Sequence, residues 1–349
     1  MKKVIVGLSG GVDSAVTAYM LKQKEYEVLA VTVIMCDYSQ NAVEDAAKVA
    51  AKLQIPHRVL DLRDKFRSDV MDYFFDEYLK GSTPNPCIRC NELIKWGALL
   101  DFADSQNAEY IATGHYARII KNENGRFTVQ NSKSAAKDQT YVLYRLPQNY
   151  LARTLMPLGD LSKDSVREIA LLNELPVATK KDSQDICFIP DGDYANFLKE
   201  HNRVRNMTLP SDGNFLNEEG DIIGRHDGYI NYTIGQRKGL KVAAGHRVYV
   251  KEIRPDTNEV VLSDYDIYGD TLSVDDIHYM GTDSEQIPDR GFAKIRYAHK
   301  GEWCDIKKTG DTLTLCFDKE VRAITPGQSV VVYNHDREDK SVLLGGTIC

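Results

Sequence analysis

Hydrophobic and polar positions alternate in two different ways along this chain. In the first third, apolar runs of strand length alternate with longer stretches whose apolar residues recur at helical spacing. We predict strands at 4–6, 28–35, 57–62 and 110–113 and helices at 15–24, 42–53, 66–79 and 92–104. This alternation predicts an α/β fold with a parallel, doubly wound sheet and a ligand site at the carboxyl ends of its strands.

The pattern changes after about His201. Before that residue we predict a hairpin around 122–125, a helix at 161–172 capped by Ser162, and a further helix at 193–200. After it, short β-rich runs separated by Gly, Asn and Asp turns lie at 247–253, 259–262, 292–297, 312–317 and 329–333. These runs predict a small β-rich module followed by a β-barrel of five or six strands. We therefore expect three domains, at residues 1–200, 201–270 and 271–349.

A chain of 349 residues is long enough for two or three domains. No apolar stretch approaches the roughly 20 residues that span a bilayer, and Met1–Lys3 leads straight into a strand, so we expect a soluble, cytoplasmic protein without a membrane partner. In that compartment most of the seven cysteines should be reduced, and any disulfide should be transient and catalytic. Four of them lie in apolar or strand-like settings and are interpreted as packing residues or bystanders: Cys36, Cys304, Cys316 and Cys349.

The net charge of −7 argues at first against a nucleic-acid partner, but the charges are unevenly distributed. Residues 255–289 hold ten of the 51 acids and no Lys or Arg, so elsewhere 44 bases face 41 acids. The segments on either side, 225–251 and 290–308, are locally basic. Such segments suit contact with phosphates, although ordinary solvated faces are the alternative.

The residues between the first strand and the first helix read Gly7-Leu8-Ser9-Gly10-Gly11-Val12-Asp13-Ser14. Two glycines allow a positive φ and a close approach to a ligand, and the serine hydroxyls and first helical amides suit a phosphate. No Lys follows the glycines, so this is not the G-x-x-x-x-G-K-[ST] loop. The spacing of the glycines does not match G-x-G-x-x-G either. The string Ser-Gly-Gly-Val-Asp-Ser instead resembles the pyrophosphate loop of enzymes that split ATP into AMP and pyrophosphate to adenylate a substrate oxygen. That resemblance implies that Asp13 is a magnesium ligand, whereas the alternative is an ordinary glycine turn capped by serines.

Two further segments place cysteines in contexts that suggest chemistry. In residues 83–91, Thr-Pro-Asn-Pro-Cys-Ile-Arg-Cys-Asn, the prolines stiffen the approach to a predicted helix. Cys90 would then lie near a helix N-terminus beside Arg89, and both features lower a thiol pKa. The second segment, Asp182–Ile189, contains Cys187 between Ile and Phe, which on its own indicates a core cysteine.

Seven short motifs are distributed between Val4 and Gly346: Ser-Gly-Gly-Val-Asp-Ser, Thr-Pro-Asn-Pro-Cys-Ile-Arg-Cys-Asn, Ala-Thr-Gly-His-Tyr, Lys-Asp-Gln, Asp-Ile-Cys-Phe-Ile, Tyr-Thr-Ile-Gly-Gln-Arg-Lys-Gly-Leu and Thr-Pro-Gly-Gln-Ser. Any one of them is a weak signal. In this order they resemble the bacterial tRNA-specific 2-thiouridylases, and the resemblance covers nearly the whole chain.

The resemblance implies ATP-dependent 2-thiolation of the wobble uridine of tRNA, with the tRNAs for Lys, Glu and Gln as expected substrates. The C2 oxygen of uridine is a poor leaving group, so ATP with magnesium would first adenylate it, and AMP could then leave. Sulfur would arrive as a persulfide on Cys187, loaded by an external donor that is either a carrier protein or a cysteine desulfurase. Cys90 would either attack that persulfide to release hydrosulfide or take the leaving position as a Cys90–Cys187 disulfide forms, which an external reductant would reset.

The same resemblance assigns binding residues. For ATP these are Gly7, Leu8, Ser9, Gly10, Gly11, Val12, Asp13, Ser14, Val33 and Gly114. For the tRNA and its target base, which must leave its stack to be reached, they are Asn85, Pro86, Cys87, His115, Lys137, Asp138, Gln139, Arg296, Tyr297 and Gln328. Tyr297 beside Arg296 would offer planes on which loop bases stack. The loop Tyr232–Leu240 would either seat the RNA or join the domains.

One residue departs from the family pattern. Many members carry Asp where this chain has Cys87, giving Asp-x-x-Cys in place of Cys-x-x-Cys. Cys87, Cys90 and Cys187 could therefore form a three-thiolate set that holds an iron–sulfur cluster, with one open iron for hydrosulfide, or a zinc ion. The alternative is that Cys87 only lines the base pocket.

Two other functions fit part of the sequence. Another pyrophosphate-loop ligase, such as an NAD synthetase or an argininosuccinate synthetase, would share the glycine loop but would not need Cys90 and Cys187. A nucleotide-dependent RNA-binding or redox module without sulfur transfer would keep its activity in a Cys187→Ser variant.

Overall fold

A computed structural model of the protein describes residues 1–37, 40–181 and 186–349. The first half of the Asp182–Ile189 segment, residues 182–185, therefore lies outside the described residues, whereas Cys187 lies within them. Among the described helices, none combines the length and the apolar character that a membrane crossing requires.

The N-terminal region contains a parallel sheet and a separate hairpin. Their strands are β1 (Lys3–Gly7), β2 (Glu27–Ile34), β3 (His57–Asp61), β4 (Tyr110–Ala112), β5 (Ala117–Lys121), β6 (Phe127–Asn131) and β7 (Thr154–Leu155). The α-helices of the described chain are α1 (Val12–Gln23), α2 (Gln40–Leu53), α3 (Arg63–Phe66), α4 (Asp72–Leu79), α5 (Pro86–Cys90), α6 (Gly97–Ser105), α7 (Gln148–Leu151), α8 (Lys163–Leu172) and α9 (Tyr194–Arg205).

The sheet has the order β3–β2–β1–β4–β7, and every neighbouring pair is parallel. Successive residues of β1 point to opposite faces: Val4 and Val6 pack with α1, α2 and α8, whereas Ile5 packs with α6. Helices therefore cover both faces, and the predicted doubly wound α/β fold is confirmed. The strand order reverses beside β1, so the loops after β1 and β4 leave the same edge at a topological switch point, where such sheets bind ligands.

Two of the predicted helices contain π-helical turns. The stretch predicted at 66–79 is α3, a π turn at Arg67–Met71 and α4, whereas the stretch predicted at 92–104 begins earlier, with α5, and passes through a π turn at Asn91–Trp96 into α6. The second π turn ends on Trp96, which is fully buried and donates its Nε1–H to Thr154 Oγ1 at 2.9 Å. Apolar spacing alone does not reveal such turns, because the extra residue of a π turn changes only the local register.

The C-terminal part is almost entirely β. A four-stranded sheet in the order β10–β11–β8–β9 is followed by a closed, antiparallel barrel in the order β12–β15–β14–β13–β16–β17. Their strands are β8 (Gly213–Leu216), β9 (Ile222–His226), β10 (Tyr249–Arg254), β11 (Glu259–Ser263), β12 (Tyr268–Tyr279), β13 (Arg290–Lys294), β14 (Glu302–Thr309), β15 (Thr312–Arg322), β16 (Ser329–Tyr333) and β17 (Val342–Ile348). The predicted β-rich module is confirmed, and the barrel predicted with five or six strands has six.

The barrel is bonded directly to the N-terminal region just before α5. The amide of Thr83 donates to the carbonyl of Pro326 at 2.8 Å, and Gln328 Nε2 donates to the carbonyl of Thr83 at 2.8 Å. The loop Tyr232–Leu240 contacts both parts, since Thr83 Oγ1 lies 3.3 Å from Thr233 Oγ1 and Arg322 donates to the carbonyl of Gly235 at 3.2 Å. These contacts fix the cysteine-containing segment against the C-terminal domains.

Candidate active site

The glycine loop between β1 and α1 is held together by its own serines. Ser14 Oγ accepts the amide hydrogen of Ser9 at 3.1 Å and donates to the carbonyl of Gly11 at 3.0 Å. Gly10 has φ +69°, and a Cβ there would lie 2.5 Å from the carbonyl oxygen of Ala42, so only glycine fits. The N-cap of α1 is Gly11, which has no side chain to occupy the first helical amides, and these suit an anion.

The carboxylate of Asp13, in the first turn of α1, has two partners from distant elements. Lys163 Nζ lies 2.8 and 2.9 Å from its two oxygens, and the Tyr116 hydroxyl donates to Oδ1 at 2.8 Å. Gly114 packs so closely behind the loop that a Cβ there would lie 2.9 Å from backbone atoms of Asp13 and Ser14. One accessible carboxylate beside a phosphate cradle fits a magnesium ion, because Mg²⁺ is commonly held by one or two carboxylates together with substrate phosphates.

Sequence reasoning missed the two lysines that supply positive charge to this loop. Lys163 is the first residue of α8, where Ser162 caps the helix as predicted by accepting the amide hydrogen of Ser165 at 3.0 Å. Lys180 donates to the carbonyl of Gly10 at 3.0 Å and to Asp45 at 2.7 Å, and its hydrogen bond is the main cause that lowers the pKa of Asp45. Each lysine is at least 150 positions from the loop residue it meets, so no local pattern announces it.

The remaining predicted ATP residues are apolar side chains that shape the loop. Leu8 and Val12 are buried in the core formed with α1, α2 and α8, and Val33 in β2 is half-buried between two other clusters. They position backbone atoms and do not present polar groups.

The cysteine segment itself forms a short helix, where the sequence predicted only the approach to one. Asn85 caps α5 by accepting the amide hydrogen of Cys87 at 3.2 Å, and Pro86 is its first residue. Cys87 is exposed in this first turn, whereas Cys90 is the last residue of α5 and is buried.

The prediction that Cys90 is an accessible thiol of low pKa is wrong. Its side chain is 5% exposed, its sulfur lies 3.7 Å from that of Met35, and burial raises its pKa to about 11. The electrostatic effect of a helix N-terminus fades within one turn, and Cys87, not Cys90, occupies that turn. Arg89 points elsewhere, donating to the carbonyl of Asp69 at 3.1 Å and covering the ring of Tyr73.

The cation that does act on Cys90 is Lys95, whose charge lowers the pKa of this thiol against the larger effect of burial. Lys95 lies in the π turn Asn91–Trp96, which begins directly after Cys90. In an uninterrupted α-helix five residues correspond to roughly 500°, which would place position 95 about 140° away around the helix from position 90. The wider π turn reduces this angular separation.

Cys187 reaches the same edge of the sheet and is exposed. The carbonyl oxygen of Cys187 lies 4.0 Å from Cys36 Sγ. Burial around its sulfur raises the pKa of Cys187 to about 12; the neighbouring thiols of Cys90, Cys87 and Cys36 add to this, whereas Lys95 opposes it. Cys36, interpreted from the sequence as a packing residue or bystander, lies two residues after β2 and contacts the backbone of Cys187.

The three-thiolate hypothesis does not fit this arrangement. Across residues 1–37, 40–181 and 186–349, no group of three His, Cys, Asp or Glu side chains is placed to bind one metal ion. Cys87, Cys90 and Cys187 are electrostatic neighbours, but they do not form the ligand set of an iron–sulfur cluster or a zinc ion here.

His115 lies between the glycine loop and the cysteine segment. It follows β4 and Gly114, its Nδ1 lies 3.0 Å from Thr113 Oγ1, and its ring packs 5.1 Å from that of Trp96. Burial lowers its pKa to about 3, with a further contribution from Lys95, so His115 is neutral at pH 7. A neutral imidazole here can accept or donate one hydrogen bond to a neighbouring group.

The predicted tRNA residues divide into exposed groups and groups engaged in the fold. Tyr297 keeps 46% of its surface exposed and donates its hydroxyl to the carbonyl of Asp138 at 3.2 Å. The charges of Lys137 and Cys87 both act on Tyr297, so the barrel borders the cysteine segment at this point. Tyr297, Lys137 and Cys87 are thus electrostatic neighbours at the border between the barrel and the cysteine segment.

Other predicted tRNA residues form hydrogen bonds that stabilise the fold near Tyr297. Asp138 accepts hydrogen bonds from the Ser132 amide and the Thr140 hydroxyl, and Gln139 Oε1 accepts the amide hydrogen of Tyr116 at 2.8 Å. Arg296 Nη1 donates to the carbonyls of Arg322 and Ala323. The guanidinium of Arg296 is therefore committed to the barrel, and of the expected Arg296–Tyr297 stacking pair it is Tyr297 that keeps an exposed face.

Comparison with known proteins gives matches over the whole chain. Family models match as a tRNA methyl transferase HUP domain over residues 2–191, a tRNA methyl transferase PRC-barrel domain over 196–264 and an aminomethyltransferase beta-barrel domain over 269–348. The tRNA-specific 2-thiouridylase MnmA of Lachnoclostridium phytofermentans is 48% identical over 363 residues, covering 100% of this chain and 99% of that protein. The proteins of the same name from Clostridioides difficile and Clostridium acetobutylicum are each 45% identical over 361 residues, covering 99% of this chain and 98% and 99% of those proteins. The domain descriptions mention methyl transfer, whereas these full-length relatives are named as thiouridylases.

Proposed function

This chain belongs to the family of tRNA-specific 2-thiouridylases and is a tRNA sulfurtransferase. We propose that it converts the wobble uridine of tRNA into 2-thiouridine in two steps. ATP first adenylates the C2 oxygen of the uridine, and sulfur from a persulfide on Cys187 then displaces AMP. The observation that supports this proposal most directly is that the glycine loop, the residues after β4 and the cysteines converge on one edge of one sheet.

In the first step ATP would bind with its phosphates on the glycine loop. The amides of the first turn of α1 and the hydroxyls of Ser9 and Ser14 face this position, and Lys163 and Lys180 supply the positive charge that the loop motif itself lacks. The C2 oxygen would attack the α-phosphate, and pyrophosphate would leave on the loop side. Magnesium held by Asp13 would neutralise charge on the phosphates, and Asp13 would have to share this role with its contact to Lys163.

In the second step sulfur would move from Cys187 to C2 of the adenylated uridine. In one route Cys90 attacks the inner sulfur of the Cys187 persulfide and releases hydrosulfide, which attacks C2. In the other, the terminal sulfur attacks C2 first and Cys90 then attacks the inner sulfur. Both routes release AMP and end in a Cys90–Cys187 disulfide, which an external dithiol would reduce. Because burial raises the pKa of Cys90, Lys95 is needed to favour its thiolate during the attack.

On the RNA side, the anticodon loop would enter at the opening bordered by Cys87, Lys137 and Tyr297, with Asn85 and Pro86 beside the flipped base. Asp138, Gln139, Arg296 and Gln328 would act mainly by holding this border in place. We assign catalysis to residues 1–200, a connecting role to 201–270 and RNA contact to 271–349. The tRNAs for Lys, Glu and Gln would be the acceptors, and a persulfide carrier or a cysteine desulfurase would be the sulfur donor.

The proposal is tested by incubating the full chain with ATP, magnesium, sulfide or a persulfide donor, and unmodified tRNA, followed by mass spectrometry of the nucleosides. The expected product is 2-thiouridine at the wobble position, with one AMP formed per modified base. An ATP-consuming ligase of another kind would turn over without tRNA or sulfur, and a binding module would leave the nucleosides unchanged. Either result would contradict the proposal.

A further inference from the structure

The carboxyl end of β2 lies between the two cysteines to which the reaction is assigned. Met35 contacts the sulfur of Cys90 at 3.7 Å, and the next residue, Cys36, places its sulfur 4.0 Å from the carbonyl oxygen of Cys187. Cys187 therefore has thiols on two sides: Cys90 and Cys87 from the α5 segment, and Cys36 from the end of a core strand.

The two sides differ in access. Cys90 is buried beneath Met35, whereas Cys36 is half-buried and so keeps part of its surface open to solvent. Reactive thiols are found in partly exposed settings, and buried thiols are typically inert. By position and access, Cys36 is the better placed of the two to attack a sulfur bound to Cys187.

We propose that Cys36 is a second resolving thiol for Cys187, able to close a Cys36–Cys187 disulfide and discharge sulfur bound to Cys187 without Cys90. The origin of that bound sulfur rests on the proposed function, but the closure itself is a property of the pair. The contact from Cys36 Sγ to the Cys187 carbonyl oxygen makes the two residues direct neighbours, and the two sulfurs must approach each other to about 2 Å for the disulfide to close.

The chemistry is an ordinary thiol–disulfide exchange. The Cys36 thiolate attacks Sγ of the Cys187 persulfide, a new Sγ–Sγ bond forms, and the bond between Cys187 Sγ and the terminal sulfur breaks. The terminal sulfur leaves with the bonding electron pair as hydrosulfide, and the proton of Cys36 passes to solvent. An external dithiol then reduces the disulfide and returns both thiols.

The test uses a full-length Cys87→Ser/Cys90→Ala chain, so that the α5 thiols cannot contribute. A substoichiometric amount of the chromogenic aromatic disulfide dithionitrobenzoate forms mixed disulfides on accessible thiols, which include Cys316 and Cys349, and releases one coloured thiolate for each. Where the mixed disulfide lies on Cys187 or Cys36, attack by the other member of this pair expels a second coloured thiolate and closes the same disulfide. We expect this second release, together with a cross-linked peptide that contains Cys36 and Cys187.

Adding Cys36→Ser to this chain should slow the second release by about tenfold or more and leave the mixed disulfide on Cys187. The matched control is Cys316→Ser, which removes an exposed thiol in the barrel and should leave closure unchanged. The inference is overturned if the mixed disulfide persists equally with and without Cys36, if the cross-linked peptide is absent, or if neither thiol reacts. Since the assay contains no ATP, tRNA or sulfur donor, a failure here is separate from a failure to make 2-thiouridine.

Discussion

At the nucleotide end of the candidate site most of the residues assigned to ATP are consecutive, Gly7–Ser14, whereas at the sulfur end the cysteines come from three segments that meet near Cys36, Cys90 and Cys187. The first is stabilised by hydrogen bonds among its own residues, and the second by packing between distant elements. A site made from one stretch can be inferred from that stretch. A site made by packing has residues whose chemistry depends on how deeply the fold buries them.

Among the substitutions that separate the two ends of the site, removal of the Cys187 thiol should have the largest effect. Cys187→Ala is expected to abolish donor-dependent formation of 2-thiouridine while ATP binding stays near the wild-type level, because the glycine loop does not depend on this side chain. Nucleoside mass spectrometry and equilibrium binding of ATP measure the two ends separately. Cys316→Ser is the control, and donor-dependent turnover by the Cys187→Ala chain would refute the assigned role.

Gly114→Ala should damage the nucleotide end alone. The added Cβ would lie 2.9 Å from backbone atoms of Asp13 and Ser14, so the loop must shift. A clash of this kind costs about 1–3 kcal/mol, which corresponds to roughly fivefold to 150-fold weaker ATP binding if it falls on the bound state. Gly97→Ala is the matched control, since its nearest contact would be an ordinary 3.4 Å. Equal ATP affinity in the two variants would show that the loop tolerates displacement.

Lys95→Met should change the pH dependence of thiol reactivity at the sulfur end of the site. The ammonium lowers the pKa of both Cys90 and Cys187, so its loss should raise both values further and shift the pH profile of thiol alkylation upward by about one unit. At a fixed pH below the thiol pKa, alkylation should therefore be slower. Lys95→Arg keeps the charge and should preserve the profile, and Lys308→Met in the barrel should not affect it. An unchanged profile in Lys95→Met would remove Lys95 from the site.

Gln328→Ala should have the smallest effect. It removes the hydrogen bond to the carbonyl of Thr83, which is worth about 1 kcal/mol of unfolding free energy. Chemical denaturation followed by fluorescence measures this loss, and a parallel tRNA-binding assay separates the anchoring role from direct RNA contact. Weaker tRNA binding at unchanged stability would instead indicate that Gln328 contacts the RNA itself.

The sequence was sufficient for the features that local patterns determine. The parallel sheet, the hairpin at 122–125, the Ser162 cap and the six-stranded barrel each follow from periodicity or turn residues within a short window. The glycine loop belongs to this group, because the need for glycine at residue 10 is a need of the backbone.

The features that the sequence could not reveal depend on burial and on contacts between residues that are far apart in the chain. Cys90 has the neighbours expected of a reactive thiol, yet packing under Met35 reverses the direction of its pKa. Lys163 and Lys180 reach the glycine loop from far along the chain, and Lys95 acts on the Cys90 thiol from within a π turn that apolar spacing does not reveal. The boundaries of the three domains and the roles of the individual site residues stay predictions.

The bonds from Thr83 to Pro326 and Gln328 tie the last third of the chain to the segment that leads into α5. A fragment that ended before the barrel would keep every residue assigned to chemistry. It would still lose the hydrogen bonds that hold the segment leading into α5, the helix that contains Cys87 and Cys90. The barrel therefore supports the segment that carries Cys87 and Cys90, and we expect that a shortened chain without the barrel would need this support rebuilt before it could act on its own.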